Sequence, residues 1–238
     1  MLNDTFGEIG GAVSKRALKI FWIVDISGSM FGEKIAAVNR AIKAVIPELR
    51  DASDENPEIK MYVRAMKFGS GAHWHTGETP IEDFVWNDLG ANGVTDMGAA
   101  MVLMSAELTP EKMGQRAIPP VLILMSDGEA TDDYNGGLEI LLNQKWARKS
   151  VRIAIAIGGD ANICELTKFC SHPVDNPPLV ADRASDLVKY IKWASVEVTK
   201  SVTASVINQA NGSPVNIPAP PQPQVTIGGG AQDGGEVW

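Results

Sequence analysis

The chain has few cysteines, few histidines, no long apolar run and no basic excess. Each shortage closes off a class of function. Cys164 and Cys170 are too few for a disulfide scaffold, and no second Cys/His pair lies nearby to complete a zinc site. They are expected to be reduced thiols acting as small, partly buried apolar residues, which fits a cytosolic location. No apolar stretch approaches the roughly eighteen residues of a membrane-spanning helix. The segment 1–14 is Gly-rich and carries acids before any base, unlike a signal peptide. Lys and Arg total 21 against 29 Asp and Glu, a net charge of −8, so the basic footprint that nucleic-acid phosphates require is missing.

What is present is an alternation of strands and helices. Ala17–Val24 is an apolar strand. A one-sided helix follows from near Glu33, with Ile35, Val38, Ile42, Val45, Ile46 and Leu49 on one face and Pro47 tightening its later turns. Ile59–Phe68 alternates as a half-exposed strand, and Ala72–Thr76 returns beside it as a hairpin. Thr95–Leu108 reads as a helix with Met97, Met101 and Met104 on one face. Val121–Met125 is the continuous apolar run of a central parallel strand. Further elements are a helix over Gly137–Lys149, a strand over Val151–Ile157, a short helix over Ile163–Phe169, a brief strand at Leu179–Val180 and a long helix over Ser185–Ser205.

This order predicts an α/β fold of three layers: a doubly wound, mostly parallel central sheet with one antiparallel edge strand and helices on both faces. Residues 1–14 form an N-terminal extension, 15–207 a single domain, and 208–238 a Pro/Gly-rich tail too poor in apolar residues to hold a core and therefore expected to be extended, mobile and disordered. Ligands of such sheets bind beyond the carboxyl ends of the strands, where the strand order reverses.

Three loops are expected at that edge. The first, Asp25-Ile26-Ser27-Gly28-Ser29, follows the first strand; the second carries Thr95 before a helix; the third carries Asp127 after the central strand. Hard oxygen donors of this kind suit a divalent cation such as Mg²⁺, which takes about six oxygens and gives up its waters reluctantly. Taken singly, Ser27, Ser29 and Thr95 could equally be helix caps, and Asp127-Gly128 a common turn. Glu129, Asp96, Asp132 and Asp133 crowd the same edge. Asp96 reads as a first-turn acid matching a helix dipole, and Asp132 and Asp133 as turn or cap residues ahead of the helix at Gly137.

Taken together, the set resembles the von Willebrand factor A family and its metal-ion-dependent adhesion site (MIDAS). The family pattern of Asp-x-Ser-x-Ser, then Thr, then Asp is filled by Asp25, Ser27, Ser29, Thr95 and Asp127. Within the family the likeness is closest to bacterial TerY-like proteins of tellurite-resistance and stress clusters. It is carried by Asp25–Met30, Met125–Asp133 and Ile191–Ser195, with Ala130 where that group usually has Pro. The resemblance implies a MIDAS cation, Mg²⁺ with Mn²⁺ or Ca²⁺ as alternatives, that binds a partner's carboxylate. It implies an adaptor role in a stress or phosphorylation pathway, with a kinase-like protein and a PP2C-type phosphatase as partners.

Other readings compete. A strand followed by Asp also describes Mg²⁺-dependent phosphohydrolases with an Asp-x-Asp motif, but Ser27 stands where their second carboxylate acts as general acid. A von Willebrand factor A scaffold with a degenerate metal site is the other alternative. His73 and His75 alternate about Trp74 and could hold Zn²⁺, but no third ligand is apparent and an exposed edge strand explains them. The Pro-rich tail suits polyproline II docking on another protein or on a neighbouring molecule, or it is a solvated linker.

Overall fold

The computed structural model describes residues 15–208 except Gln115, and residues 216–222; the side chains of 206–208 lie outside the description. The expectations for 1–14 and for most of the tail therefore lie outside the described residues.

The elements are β1 (Arg16–Asp25), α1 (Glu33–Asp54), β2 (Ile59–Gly69), β3 (Gly71–Trp74), β4 (Thr79–Pro80), α2 (Met97–Ser105), α3 (Pro110–Met113) and β5 (Val121–Ser126). They continue as α4 (Tyr134–Asn143), α5 (Lys145–Lys149), β6 (Val151–Ile157), α6 (Ile163–Phe169), β7 (Leu179–Ala181), α7 (Ala184–Lys192), a π turn (Trp193–Glu197) and α8 (Val198–Asn208). The seven strands form one sheet in the order β3-β2-β1-β5-β6-β7, with β4 also pairing with β2. β1, β2, β5, β6 and β7 run parallel, while β3 and β4 lie antiparallel to β2. The expected three-layer α/β architecture is what forms.

β1 divides the core by its pleat, because alternate side chains point to opposite faces. Leu18, Ile20, Trp22 and Val24 pack with α1, α7 and the π turn. Phe21 and Ile23 pack with α2, α4 and α6. Trp22 is fully buried, meets Phe84 and Trp86 edge-on, and donates its indole N–H to Ser195 Oγ at 3.1 Å. The π turn is thereby tied to the strand that ends at Asp25.

Boundaries moved where a side chain from a distant segment, or a local cap, took charge. α4 begins at Tyr134, not Gly137, because Asp133 accepts the Gly136 N–H at 2.9 Å and caps it earlier. It breaks at Gln144, whose backbone is extended, before α5 resumes. α2 stops at Ser105, and the long C-terminal helix is interrupted by the π turn. Pro47 sits inside α1, which continues to Asp54. Cys164 is exposed, whereas Cys170 is buried and its thiol is pushed up to about 11 by desolvation. Among the described residues no helix is long and apolar enough to cross a membrane.

Candidate metal centre

β1 pairs with β2 on one side and with β5 on the other, so the chain's winding reverses between β1 and β5. That is the crevice where such sheets bind ligands. Asp25 is the last residue of β1, and Asp127 follows the last residue of β5.

Direct bonds link four of the five expected residues. Asp25 Oδ1 accepts the Ser27 backbone N–H at 2.7 Å. Ser27 Oγ and Ser29 Oγ are 3.0 Å apart, and Ser29 Oγ donates to Asp127 Oδ1 at 2.8 Å. Thr95 joins them across Gly128: a Cβ built on that glycine would lie 3.6 Å from Thr95 Oγ1 and 3.8 Å from Ser29 Oγ. Asp25, Ser27, Thr95 and Asp127 are buried, and Ser29 is exposed. Solvent reaches the cluster from the Ser29 side.

The loop bearing Thr95 is long, and its position is enforced by bonds that the sequence does not advertise. Asn39, buried on α1, accepts the Trp86 indole N–H at 3.0 Å and the Leu89 N–H at 2.9 Å, and donates to Leu89 O at 2.9 Å. Nearer the site, Asn92 N–H donates to Ile26 O at 2.6 Å and Gly28 N–H to Gly93 O at 2.9 Å. Gly93 has φ +96°, and a Cβ there would meet the Ser70 backbone nitrogen at 2.9 Å, so both conformation and space require glycine. Thr95 and Thr131 tie the second loop to the third: Thr95 N–H donates to Thr131 Oγ1 at 3.0 Å and Thr131 N–H to Thr95 O at 2.9 Å.

The surrounding acids are braces. Asp96 sits at the N-cap of α2 without a side-chain cap bond to it, and its carboxylate accepts the Gly71 N–H at 2.7 Å and the Thr131 hydroxyl at 3.2 Å. Asp132 supplies that cap from across the site, accepting Gly98 N–H at 2.7 Å and Ala99 N–H at 2.8 Å. It holds the third loop against the start of α2, where Gly98 and Gly137 let α2 and α4 touch backbone to backbone: a Cβ on Gly137 would lie 2.4 Å from Gly98 O. Glu129 bonds Asn162 at 3.1 Å. His75 Nε2 contacts Asn87 O at 2.8 Å and its ring packs on Trp86, while His73 is exposed on edge strand β3.

Two residues were missed by sequence reasoning. Ser126 Oγ donates to Asp25 Oδ2 at 2.6 Å. Lys34 Nζ stands 2.7 Å from Asp127 Oδ2 and 3.7 Å from Asp160 Oδ1. Lys34 did leave a signal: a cation in the first turn of a helix opposes the macrodipole and calls for a local anion.

The donor set fits a hard divalent cation. Burial raises the Asp25 carboxyl above its usual 3.8, against the lowering bonds from Ser126 and Ser27, and the neighbouring Asp127 adds to the rise. A desolvated carboxylate beside a second one is stabilised by a nearby positive charge, and three hydroxyls add neutral oxygen donors. Among the described residues no three His, Cys, Asp or Glu side chains cluster as metal ligands, so a cation here would rest on hydroxyls and two carboxylates. Asp25 also lacks the paired general acid of an Asp-x-Asp phosphatase: its carboxylate oxygens bond Ser126 and the Ser27 backbone, while the Ser27 hydroxyl meets Ser29.

The model of the von Willebrand factor type A domain family matches residues 20–190. No curated protein matches the chain. Similar solved structures include a von Willebrand factor type A protein from Catenulispora acidiphila, 18% identical with TM-score 0.55, aligned over 79% of this chain and 43% of that one. The ArnB paralog VWA2 from Sulfolobus acidocaldarius is 18% identical with TM-score 0.57, over 76% and 45%. Proximal thread matrix protein 1 from the mussel byssus, with a zinc-occupied MIDAS motif, is 15% identical with TM-score 0.55, over 79% and 48%. The chain spans less than half the length of each of these, and at such identity the likeness is one of fold.

Proposed function

The chain belongs to the von Willebrand factor type A family, and from that premise we propose that its carboxyl-edge site is a MIDAS at which the domain binds a protein partner through a divalent cation. Asp25, Ser27, Ser29, Thr95 and Asp127 would hold the ion, with Mg²⁺ proposed and Mn²⁺ or Ca²⁺ as alternatives. When bound, the cation supplies an electrophilic position for a carboxylate from the partner. The observation that carries the reading is the linked set of oxygens around Gly128, four of whose residues are buried while Ser29 opens to solvent.

The rim supports a protein as the ligand. Phe31 is 79% exposed and Val94 48% exposed, and they lie two residues after Ser29 and one before Thr95. Apolar side chains beside an anion-seeking site suit an acidic residue flanked by apolar ones. The role proposed is non-catalytic. We extend the proposal to kinship with the TerY-like group on Asp25–Met30, Met125–Asp133 and Ile191–Ser195, and to an adaptor in the cytoplasm linking a kinase-like protein and a PP2C-type phosphatase in a stress response. The domain itself is proposed to span 15–207.

A second reading has an observation of its own. Lys34 already places a positive charge 2.7 Å from Asp127, so the fold could serve as a scaffold whose site is neutralised by that ammonium. Affinity capture of an interacting protein by the full chain, with and without EDTA and with Asp25→Ala as control, separates the two. The metal reading expects capture to fall under both treatments while the domain stays folded. Capture that survives both overturns it and favours the scaffold.

A further inference from the structure

The Pro-rich segment, expected as a docking peptide or a solvated linker, lies against the domain's own C-terminal helix. After α8 ends at Asn208 the chain is described again at Asn216, where Ser201 Oγ donates to Asn216 O. Ile217 packs on the α1/α7 face of the core. Ala219 and Pro221 then face Lys189, Lys192, Trp193 and Glu197 around a cavity of about 390 Å³. The segment therefore runs antiparallel to the helix.

The lengths agree with an extended strap. Twelve helical steps, from Ser201 back to Lys189, span about 18 Å at 1.5 Å each. Six steps from Asn216 to Gln222 span about 19 Å at the 3.1 Å rise of polyproline II. Pro218-Ala219-Pro220-Pro221 favours that conformation and exposes carbonyls with few N–H groups of its own.

Trp193 is the anchor on the helix side. It is only 5% exposed, yet its indole N–H has no hydrogen-bond partner among the described residues. Of the lysines beside it, Lys192 Nζ is 2.9 Å from Glu48, while Lys189 Nζ lies 3.6 Å from Asp186 and makes no hydrogen bond among the described residues. The indole N–H stays without an acceptor among the described residues even with Ala219 and Pro221 beside it, so the resident segment covers Trp193 by packing and leaves a donor free for a carbonyl of a better-fitting proline-rich peptide.

We propose that this groove is a recognition site for a proline-rich segment and that residues 216–222 are its resident occupant, held in cis. The seven residues between Asn208 and Asn216 keep the segment at high effective concentration. A proline-rich peptide from outside must therefore displace the chain's own segment, which makes the strap a cover over a second interaction surface, distinct from the carboxyl-edge site.

The test uses the full chain, wild type and with Pro218→Gly, Pro220→Gly and Pro221→Gly combined, and a synthetic peptide of residues 213–223. Two-dimensional NMR follows the Trp193 indole N–H, assigned with Trp193→Phe. In the triple variant the Trp193 signal is expected to shift and its hydrogen exchange to quicken about tenfold or more, and added peptide to restore it. The wild-type chain should bind the peptide at least about tenfold more weakly, because its site is filled. An unchanged Trp193 signal in the variant, or no binding of peptide to it, overturns the proposal. Wild-type protection that rises with protein concentration would place a second copy's segment in the groove and overturn the assignment in cis.

Discussion

At one end of α2, Glu107 is gripped by Arg64 at 2.7 Å and Lys112 at 2.9 Å, and Lys19 nearby pairs with Glu78 at 2.6 Å while donating to Lys112 O at 2.8 Å. Arg64 also stacks on Trp74, 3.7 Å from the ring centroid. At the other end of α2, oxygens face oxygens. Ser27, Ser29 and Asp127 are joined in a line, Asp25 is sealed beneath them, and among the described residues Lys34 is the single cation within reach of a site carboxylate. The two ends of the same strands and helix thus spend charge differently. The first matches each carboxylate with cations and locks the fold. The second gathers more oxygen than its one lysine neutralises, which is a poor way to gain stability and a good way to attract a cation.

The largest effect expected is at the paired end. Glu107→Ala leaves the largely buried Arg64 guanidinium without its carboxylate and should cost about 3 kcal/mol of stability. Denaturant unfolding measures it, and Mg²⁺ affinity should not change. A parallel loss of affinity would erase the division between the ends.

Asp25→Ala should do the reverse. It removes a desolvated carboxylate, so stability in EDTA changes little, while Mg²⁺ binding weakens about a hundredfold, or about 2.7 kcal/mol. Isothermal titration calorimetry reads the affinity. Gly137→Ala places a methyl against Gly98 O and should cost about 2 kcal/mol by forcing α2 from α4, with some loss of Mg²⁺ affinity because α2 follows Thr95. Unchanged stability would mean the two helices part freely.

Lys34→Met sharpens the contrast further. Without the ammonium, Asp127 is freed for an added cation, and Mg²⁺ affinity should rise about tenfold, while stability in EDTA falls because a buried carboxylate is left without its cation. No Mg²⁺ binding in either protein would favour the scaffold reading. The smallest effect is in pH. Because the Asp25 carboxyl is raised above 3.8 in the fold, the folded chain holds that proton more tightly than the unfolded one. In EDTA, stability from this group is present at low pH and is lost as pH rises from about 3.8 through the folded value. Mg²⁺ needs the ionised carboxylate, so its stabilisation should grow over the same interval; melting curves at several pH values, with EDTA or Mg²⁺, test both slopes.

Much of this was legible in the sequence because it is written locally. Val121–Met125 is a continuous apolar run and Val151–Ile157 is apolar but for Arg152, both of strand length, and both are strands in the structure. Asp25, Ser27, Ser29 and Asp127 follow strand ends that topology brings to one edge, whereas Thr95 depends also on the bonds that hold its long loop there. What could not be read depends on partners far along the chain. Asn39 holds Leu89 across 50 residues, and Asp132 caps α2 from 34 residues away. The π turn at Trp193 has no periodic signature, and Ser195 bonds Trp22 across 173 residues. Lys34 was readable in principle, as a cation placed against a helix dipole.

The central claim, that the oxygen-rich end is built for a cation, is tested most directly by the melting temperature of the full chain as Mg²⁺ is raised from EDTA to millimolar levels. A ligand that binds the folded state alone raises stability with the logarithm of its concentration. The account predicts a steady rise in Tm for the wild-type chain and, for Asp25→Ala, a rise that begins only at about hundredfold higher Mg²⁺. The same Tm at every Mg²⁺ concentration, or an equal rise in both proteins, would contradict it.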